Sequence, residues 1–411
     1  MASTEQLERN LKLYPGFVMA LDALFWTPVF ILLFSSKFPI SQVLLLECIY
    51  YIAVVSLELP TGYFSDKIGR RSTLLIAAAL LGLSYLLFFI GDSFSMFVAA
   101  KILMATGFAF KSGTDASFHY DTHQALERTE EFGDAEARVS SLSFRASAAG
   151  ALIGGLAGAL SLSFPFALSA VAAFVAMALM SLCVEPTHSH DRSTKPFGEQ
   201  FFQTLGEFED YTLRWLLGVA VLSIVLVHVP YQVFQPYIKL LWSGESEAGA
   251  MSPIISGAHV FLVMLFGSWI AGQSMNIRRK LGLCKTFLLS TLLQNLIILV
   301  SALFLHPLGV LALAMRNGPK GLYMAPLSAA VNERIPTEHR ATYLSLQSLA
   351  GRLAFGGLLL MLSLVVGKEF VDWPSLSRIS EFSFYAGMSG WILLLLTAKF
   401  VRDKSETGPN P

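Results

Sequence analysis

The stretch Gly62-Tyr63-Phe64-Ser65-Asp66-Lys67-Ile68-Gly69-Arg70-Arg71 reads G-x-x-x-D-x-x-G-R-R and follows Glu58-Leu59-Pro60-Thr61. It joins two long apolar runs, 41–64 and 71–91. A run of about 20 mostly apolar residues is long enough to cross the roughly 30 Å hydrocarbon core of a bilayer. Asp66 and Arg70 stand four apart, one helical turn, so acid and base share a face. Gly62 lets two helices approach closely, as small residues do in membranes. The stretch thus predicts two membrane helices joined by a short charged connection.

The rest of the 411-residue chain repeats that theme. It is 54% hydrophobic and 14% charged, whereas a soluble domain carries about 25% charged residues. So much apolar surface has to face lipid or other helices. Twelve spans are expected, at 13–34, 41–64, 71–91, 94–119, 138–162, 164–184, 213–236, 254–275, 284–305, 308–331, 341–367 and 383–402. The longest polar stretch, 185–212, carries Pro186 and Pro196 and reads as a linker. The expected organisation is a tail 1–12, a six-helix bundle 13–184, the linker 185–212, a second bundle 213–402 and a tail 403–411. No cleavable signal peptide is visible, because the first apolar run is long enough to span. Cys48, Cys183 and Cys284 lie in separate apolar runs and read as packing residues. The formal net charge is zero, so nothing argues for nucleic acid.

Of the 29 Lys and Arg, only Lys37, Lys239, Lys368 and Arg378 fall in connections on the side opposite the N-terminus. The positive-inside rule then puts both termini in the cytoplasm. The halves also match each other at an offset of 202: Arg138 with Arg340, Ser143 with Ser345, and Gly154-Gly155-Leu156 with Gly356-Gly357-Leu358. Internal repeats are common in transporter folds.

The loop after the second span resembles the signature between helices two and three of the major facilitator superfamily, and the 6+6 pattern extends that resemblance over the whole chain. The resemblance implies an all-α membrane protein of two six-helix halves, the major facilitator fold. It implies a gate formed by Gly62, Asp66, Gly69, Arg70 and Arg71, with the acid near the start of helix eleven and a relay to an acid ending helix four, here Asp121. In the second half, Gly272-x-x-x-Asn276 with Arg278, Arg279 and Lys280 keeps the glycine and the basic charges but not the acid; Glu333 is the counterpart of Asp121. Gly150-x-x-x-Gly154-Gly155-x-x-Gly158 in the fifth span looks like the glycine motif of the drug:proton antiporter-like branch, without its proline. Plain close helix packing is the competing reading, since small residues four apart serve that purpose.

Charges inside spans need a reason, because each costs about 3 kcal/mol on insertion scales. Asp22 lies mid-span, where it serves helix packing or binds a proton or substrate. Lys111, Asp115 and His119 follow at i, i+4 and i+8 on one helix face. Either Lys111 or Arg145 can pair with Asp115, as a structural contact or as part of proton coupling. Arg316-Asn317-Gly318-Pro319-Lys320-Gly321 breaks the tenth span near its middle, and broken mid-membrane helices beside charges point to binding sites. Asp22, Glu47, Arg316, Asn317, Lys320 and Arg352 are the candidate substrate-binding residues. His228 and His259 read as packing histidines. His119 and His123 share a face with Asp121 nearby but lack a third anchor, so no metal site is expected.

No G-x-x-x-x-G-K loop occurs, so ATP is not the direct driver. The expectation is a proton-coupled secondary active transporter, not an enzyme, working by alternating access with no cofactor beyond the proton gradient. Its partners would be a small-molecule substrate, protons and membrane lipid, and it is expected to be a monomer in a bacterial inner membrane. The resemblance points to export of a small amphipathic or anionic molecule. The basic residues inside the spans point instead to proton-symport uptake of an anionic nutrient, siderophore-like chelate or lipid.

Overall fold

The computed structural model describes residues 3–112, 114–186, 209–242, 251–332, 334–335, 337–366 and 372–401; for 58–67, 133–134, 137, 140, 332, 337–342 and 344–345 it describes the backbone only. Most of the expected linker lies outside the described residues. All regular structure among the described residues is helical. The first half contains α1 (Thr4–Asp22), α2 (Phe30–Lys37), α3 (Ile40–Ile68), α4 (Arg70–Ile90), α5 (Phe94–Lys111), α6 (Thr114–Ala125), α7 (Phe132–Leu160) and α8 (Phe164–Ser181). The second contains α9 (Tyr211–Leu241), α10 (Ser252–Leu281), α11 (Leu283–Leu303), α12 (Pro307–Ala314), α13 (Asn317–Asn332), α14 (Thr337–Val365) and α15 (Trp373–Thr397).

Among the described residues, ten stretches are long and apolar enough to cross a membrane unaided, one of them made of α5 and α6 together. The remaining two expected spans are made of pairs: α1 with α2, and α12 with α13. Twelve crossings result, as the sequence predicts. The break in the tenth span falls at Met315 and Arg316, so Pro319 stands in the first turn of α13 instead of marking the interruption. Two further breaks, at 23–29 in the first span and after Lys111 in the fourth, were not foreseen. Pro28 explains part of the first: it has no N–H to donate and it disfavours helix at the residue before it.

Contacts divide the chain into two units, Met1–Arg192 with Ser246–Phe261, and Ser193–Glu245 with Leu262–Pro411. In the first unit α4 packs on α5 and α8, α3 on α5, and α1 on α7 and α8. Phe34, Phe88, Phe97 and Phe166 form an aromatic core whose ring centroids are 5.2–6.3 Å apart. Within it, Lys101 Nζ lies 2.6 Å from Glu47 Oε1 and 5.1–6.0 Å from the ring centres of Phe30, Phe34, Tyr50 and Phe88. In the second unit α11 packs on α15, and α9 on α14 and α15. There the Trp215 indole donates to the Leu394 carbonyl at 3.0 Å, and the Tyr343 hydroxyl donates to the Leu213 carbonyl at 2.7 Å.

The fifth span supports the break in the first. A Cβ added at Gly150 would strike the Ala23 carbonyl, one at Gly154 the Phe25 carbonyl, and one at Gly158 the Val29 side chain. The three glycines occupy one helix face and admit the non-helical backbone 23–29. Gly155 points elsewhere, toward Pro253 and Gly257. Small-residue packing therefore accounts for this row.

Two pairs of substitutions test these arrangements. Gly154→Ala should lower the thermal unfolding midpoint in detergent, an overpacking penalty of about 1–3 kcal/mol, whereas Gly357→Ala meets open space and should not; equal losses would overturn the packing role. Lys101→Met strands the buried Glu47 carboxylate and should destabilise by about 3–5 kcal/mol. Adding Glu47→Leu should restore most of the loss; a double variant as unstable as the single one would sink that account.

Candidate functional site

The two unforeseen breaks bring a charge cluster together. Asp22 ends α1, Lys111 ends α5 and Asp115 stands in the first turn of α6. Lys111 and Asp115 suit the helix ends they occupy, because a C-terminus favours a cation and an N-terminus an anion. Asp22 is at the adverse end of its helix and is compensated by neighbours. Lys111 Nζ forms an ion pair with Asp22 Oδ1, and the Ser143 hydroxyl donates to Asp22 Oδ2 at 2.6 Å. The Ser147 hydroxyl donates to the Asp22 carbonyl at 2.7 Å and so caps the broken helix. Asp115 Oδ1 accepts from the Ala116 N–H at 2.8 Å, and its Oδ2 is 3.9 Å from Lys111 Nζ. One ammonium therefore serves two carboxylates from two spans.

Of the alternatives open in the sequence, Lys111 is the partner of Asp115. Arg145 is exposed and takes no part in this cluster. Ser143 and Ser147 were passed over, although Ser143, Ser147, Gly150, Gly154 and Gly158 follow one another at helical spacing. That stripe of small residues was the available signal. Glu47 lies apart, closed against Lys101.

The signature loop is held by a residue that sequence reasoning left in the linker. Gly69 has φ 95° and ends the connection into α4. The next two backbone N–H groups, of Arg70 and Arg71, donate to Glu185 Oε1 and Oε2 at 2.6 and 2.9 Å. A carboxylate at a helix N-terminus satisfies orphan donors and complements the dipole. The Arg71 guanidinium donates to the Ser181 carbonyl at 2.8 Å. Arg70 Nε lies 3.5 Å from Asp121 Oδ2, so the expected relay partners meet. Gly62 and Asp66 fall in 58–67, where only the helix backbone is described, and Glu333 lies outside the described residues. The second half has the same turn at Gly282, φ 79°. Counting back three residues from each glycine puts Arg279, not Asn276, where the first half has Asp66. The acid is thus replaced by a base.

In the second unit Arg316 is 3% exposed and follows the short α12, donating to the Leu313 carbonyl at 3.2 Å. Its guanidinium stands 4.3 Å from the centre of the Phe234 ring, and the Tyr231 ring centroid lies 6.0 Å from that of Phe234. Lys320 follows one turn later. The charges of Lys320 and Arg352 both act on His228, whose ring lies 5.1 Å from that of Phe355. Spans seven, ten and eleven thus converge on a basic and aromatic group. Of the acidic residues of this unit whose side chains are described, Glu209, Asp210 and Asp372 stand at helix starts and Glu381 lies two turns into α15. Asn317 is drawn toward α10, against Gly267, with its amide 3.6 Å from the Met264 sulfur.

Comparison with known proteins fits this architecture. Solved structures with the same fold include a mutant of the nucleoside transporter NupG, at TM-score 0.79 and 11% identity over 94% of this chain and 100% of that one. A D-xylose-proton symporter gives 0.67 and 14% over 97% and 98%, and a mutant of the peptide transporter POT gives 0.67 and 13% over 96% of both chains. At such identities the likeness is one of fold. None of the curated proteins compared with the chain matches it. The sequence model of the Major Facilitator Superfamily matches residues 16–405, nearly the whole chain and both units, and the chain therefore belongs to that superfamily.

Proposed function

We propose that this chain is a proton-coupled secondary active transporter, working by alternating access and carrying a small anionic molecule. The observation that carries the coupling is the sharing of Lys111 between Asp22 and Asp115. A proton arriving on Asp22 converts its carboxylate to the acid and weakens the ion pair. The Lys111 ammonium then has Asp115 as its remaining carboxylate, and α1, α5 and α6 are released from one arrangement and held in another. Loss of the proton reverses the exchange. Broken helices suit such a role, because irregular backbone at membrane depth is tolerated where protein or a water-filled cavity covers it.

Substrate recognition belongs in this reading to Arg316, Lys320 and Arg352, with His228 and Tyr231 beside them. Arg presents a planar fork suited to a carboxylate or phosphate, and Lys a compact point charge. An amphipathic anion would add contact with Phe234 and Phe355. The chain acts in a bacterial inner membrane as a monomer with both termini cytoplasmic, and its Arg70–Asp121 pair belongs to the gate on that side. Export in exchange for protons is the leading direction. Uptake by symport is the second, favoured because packing against the first span explains the glycine row that resembled an exchanger motif.

Carboxylates, dicarboxylates and phosphate monoesters tested one by one should include an anion that raises the thermal unfolding midpoint of the wild type but not of Arg316→Ala. Stabilisation kept in the variant removes Arg316 from the site. With that anion in proteoliposomes, a pH gradient should drive its movement in the wild type, and Asp22→Asn should abolish gradient-driven flux while anion exchange at equal pH persists. Gradient-driven flux at the wild-type rate in Asp22→Asn would end the coupling assignment. Accumulation that follows protons inward selects uptake, and accumulation against inward protons selects export.

A further inference from the structure

The short helix α12 is pinned at its start by Tyr237, a residue of α9 that the proposed substrate site does not use. Tyr237 is fully buried. Its hydroxyl donates to the Phe304 carbonyl and accepts from the His306 N–H at 3.0 Å, with the His306 carbonyl at 3.1 Å as a second acceptor. These groups form the connection between α11 and α12. His306 is also the N-cap of α12: its Nδ1 accepts from the Leu308 N–H at 3.2 Å, and its carbonyl from the Gly309 N–H at 2.8 Å. The end of the phenol lies against Gly309, where an added Cβ would strike the hydroxyl oxygen. One side chain of α9 therefore holds both the connection and the first turn of α12.

Arg316 stands just past the other end of α12. The helix has eight residues, about two turns and roughly 12 Å, and a helix that short has little stability of its own. Its position is set by what grips it. Gly309 lies against Tyr237, and Arg316, seven residues on, lies over Phe234, three residues back along α9. The two helices are thus in antiparallel register, and α9 meets α12 at its start and just past its end.

We infer that Tyr237 is a positioning residue of the anion site: its hydroxyl fixes how far α12 reaches along α9, and so the depth at which Arg316 presents its guanidinium. This rests on the reading of Arg316 as a substrate-binding residue. A binding group has to be held to within about 0.5 Å of its productive place by neighbours that are themselves locked. The Tyr237 ring is locked in this way, with the Trp373 ring of α15 packed edge-on against it at 6.0 Å between centroids. A phenylalanine at 237 would keep that ring packing but leave the Phe304 carbonyl and the His306 N–H without this hydroxyl. Residues 304–306 and the first turn of α12 would then be free to shift, and Arg316 with them.

The test compares the full-length wild type with Tyr237→Phe. Tyr343→Phe, which loses the comparable bond to the Leu213 carbonyl, is the control for lost stability. In detergent without ligand, amide deuteration should speed up across 304–318 in Tyr237→Phe and stay at the wild-type rate there in Tyr343→Phe. Acetate, succinate and phenyl phosphate serve as the carboxylate, dicarboxylate and phosphate-monoester probes. A probe that binds the wild type should bind Tyr237→Phe about threefold to tenfold more weakly, the range set by the net worth of one hydrogen bond, and Tyr343→Phe with wild-type affinity. In proteoliposomes the KM for that probe should rise by the same factor with the maximal rate kept. Faster deuteration confined to 304–309 overturns the inference and leaves the substrate reading standing, and so does an unchanged affinity in Tyr237→Phe. An equal loss of affinity in Tyr237→Phe and Tyr343→Phe assigns Tyr237 to stability alone and also overturns it. A wild type that binds none of the probes overturns the substrate reading, and the role of Tyr237 with it.

Discussion

A backbone that leaves the helix inside a membrane has to find partners for its polar groups within the protein, since lipid offers none and each unsatisfied group costs several kcal/mol. The segment 23–29 meets this demand against one face of α7. Its own turns supply part of the bonding, with Thr27 N–H and hydroxyl both donating to the Leu24 carbonyl and Val29 N–H donating to that of Trp26. Ser147 takes the Asp22 carbonyl, and the glycines leave room for the rest. Because this contact fixes where α1 ends, it also fixes the depth of Asp22, and Lys111 and Ser143 meet the carboxylate there. The charge cluster is thus a consequence of a backbone problem solved by small side chains.

The two units divide the chemistry unequally. The first holds carboxylates that share one cation, with an internal ion pair, Lys101 with Glu47, sealed among aromatic rings. The second gathers cations near its own helix break, where Arg316 serves the Leu313 carbonyl and also lies over Phe234. A basic residue after a helix end is stabilised by the dipole, so α12 gives Arg316 a fixed seat whatever it binds. The same turn glycine opens α4 and α11, yet the acid three residues before it has become Arg279. The two connections therefore share geometry but not charge.

The spans, their number and the signature loop were legible because hydrophobic length and a charged punctuation mark are local properties of the sequence. The Arg70–Asp121 contact was reached only through resemblance, since the two residues are far apart in the chain. The interruption of the fourth span was missed although Ser112-Gly113 is a turn-marking dipeptide, because it was passed over inside an otherwise apolar run. Pro28 did mark the first break but was read as part of an apolar run. Glu185 was assigned to the linker because its partners are backbone amides, which carry no residue signal. Arg145 and Lys111 could not be ranked against Asp115, since that choice depends on how α7 is rotated. The small-residue stripe that fixes the rotation was read only in its glycine part.

Glu185 also bears on where the polypeptide can be divided. Its carboxylate closes the amino end of α4, so the first unit is complete only with the residues just past α8. Two separately produced pieces intended to reassemble would have to be separated beyond Glu185, so that this residue stays on the leading piece. A cut just before Glu185 would leave the amides of Arg70 and Arg71 without their anchor, although every apolar residue of the leading piece would still be present.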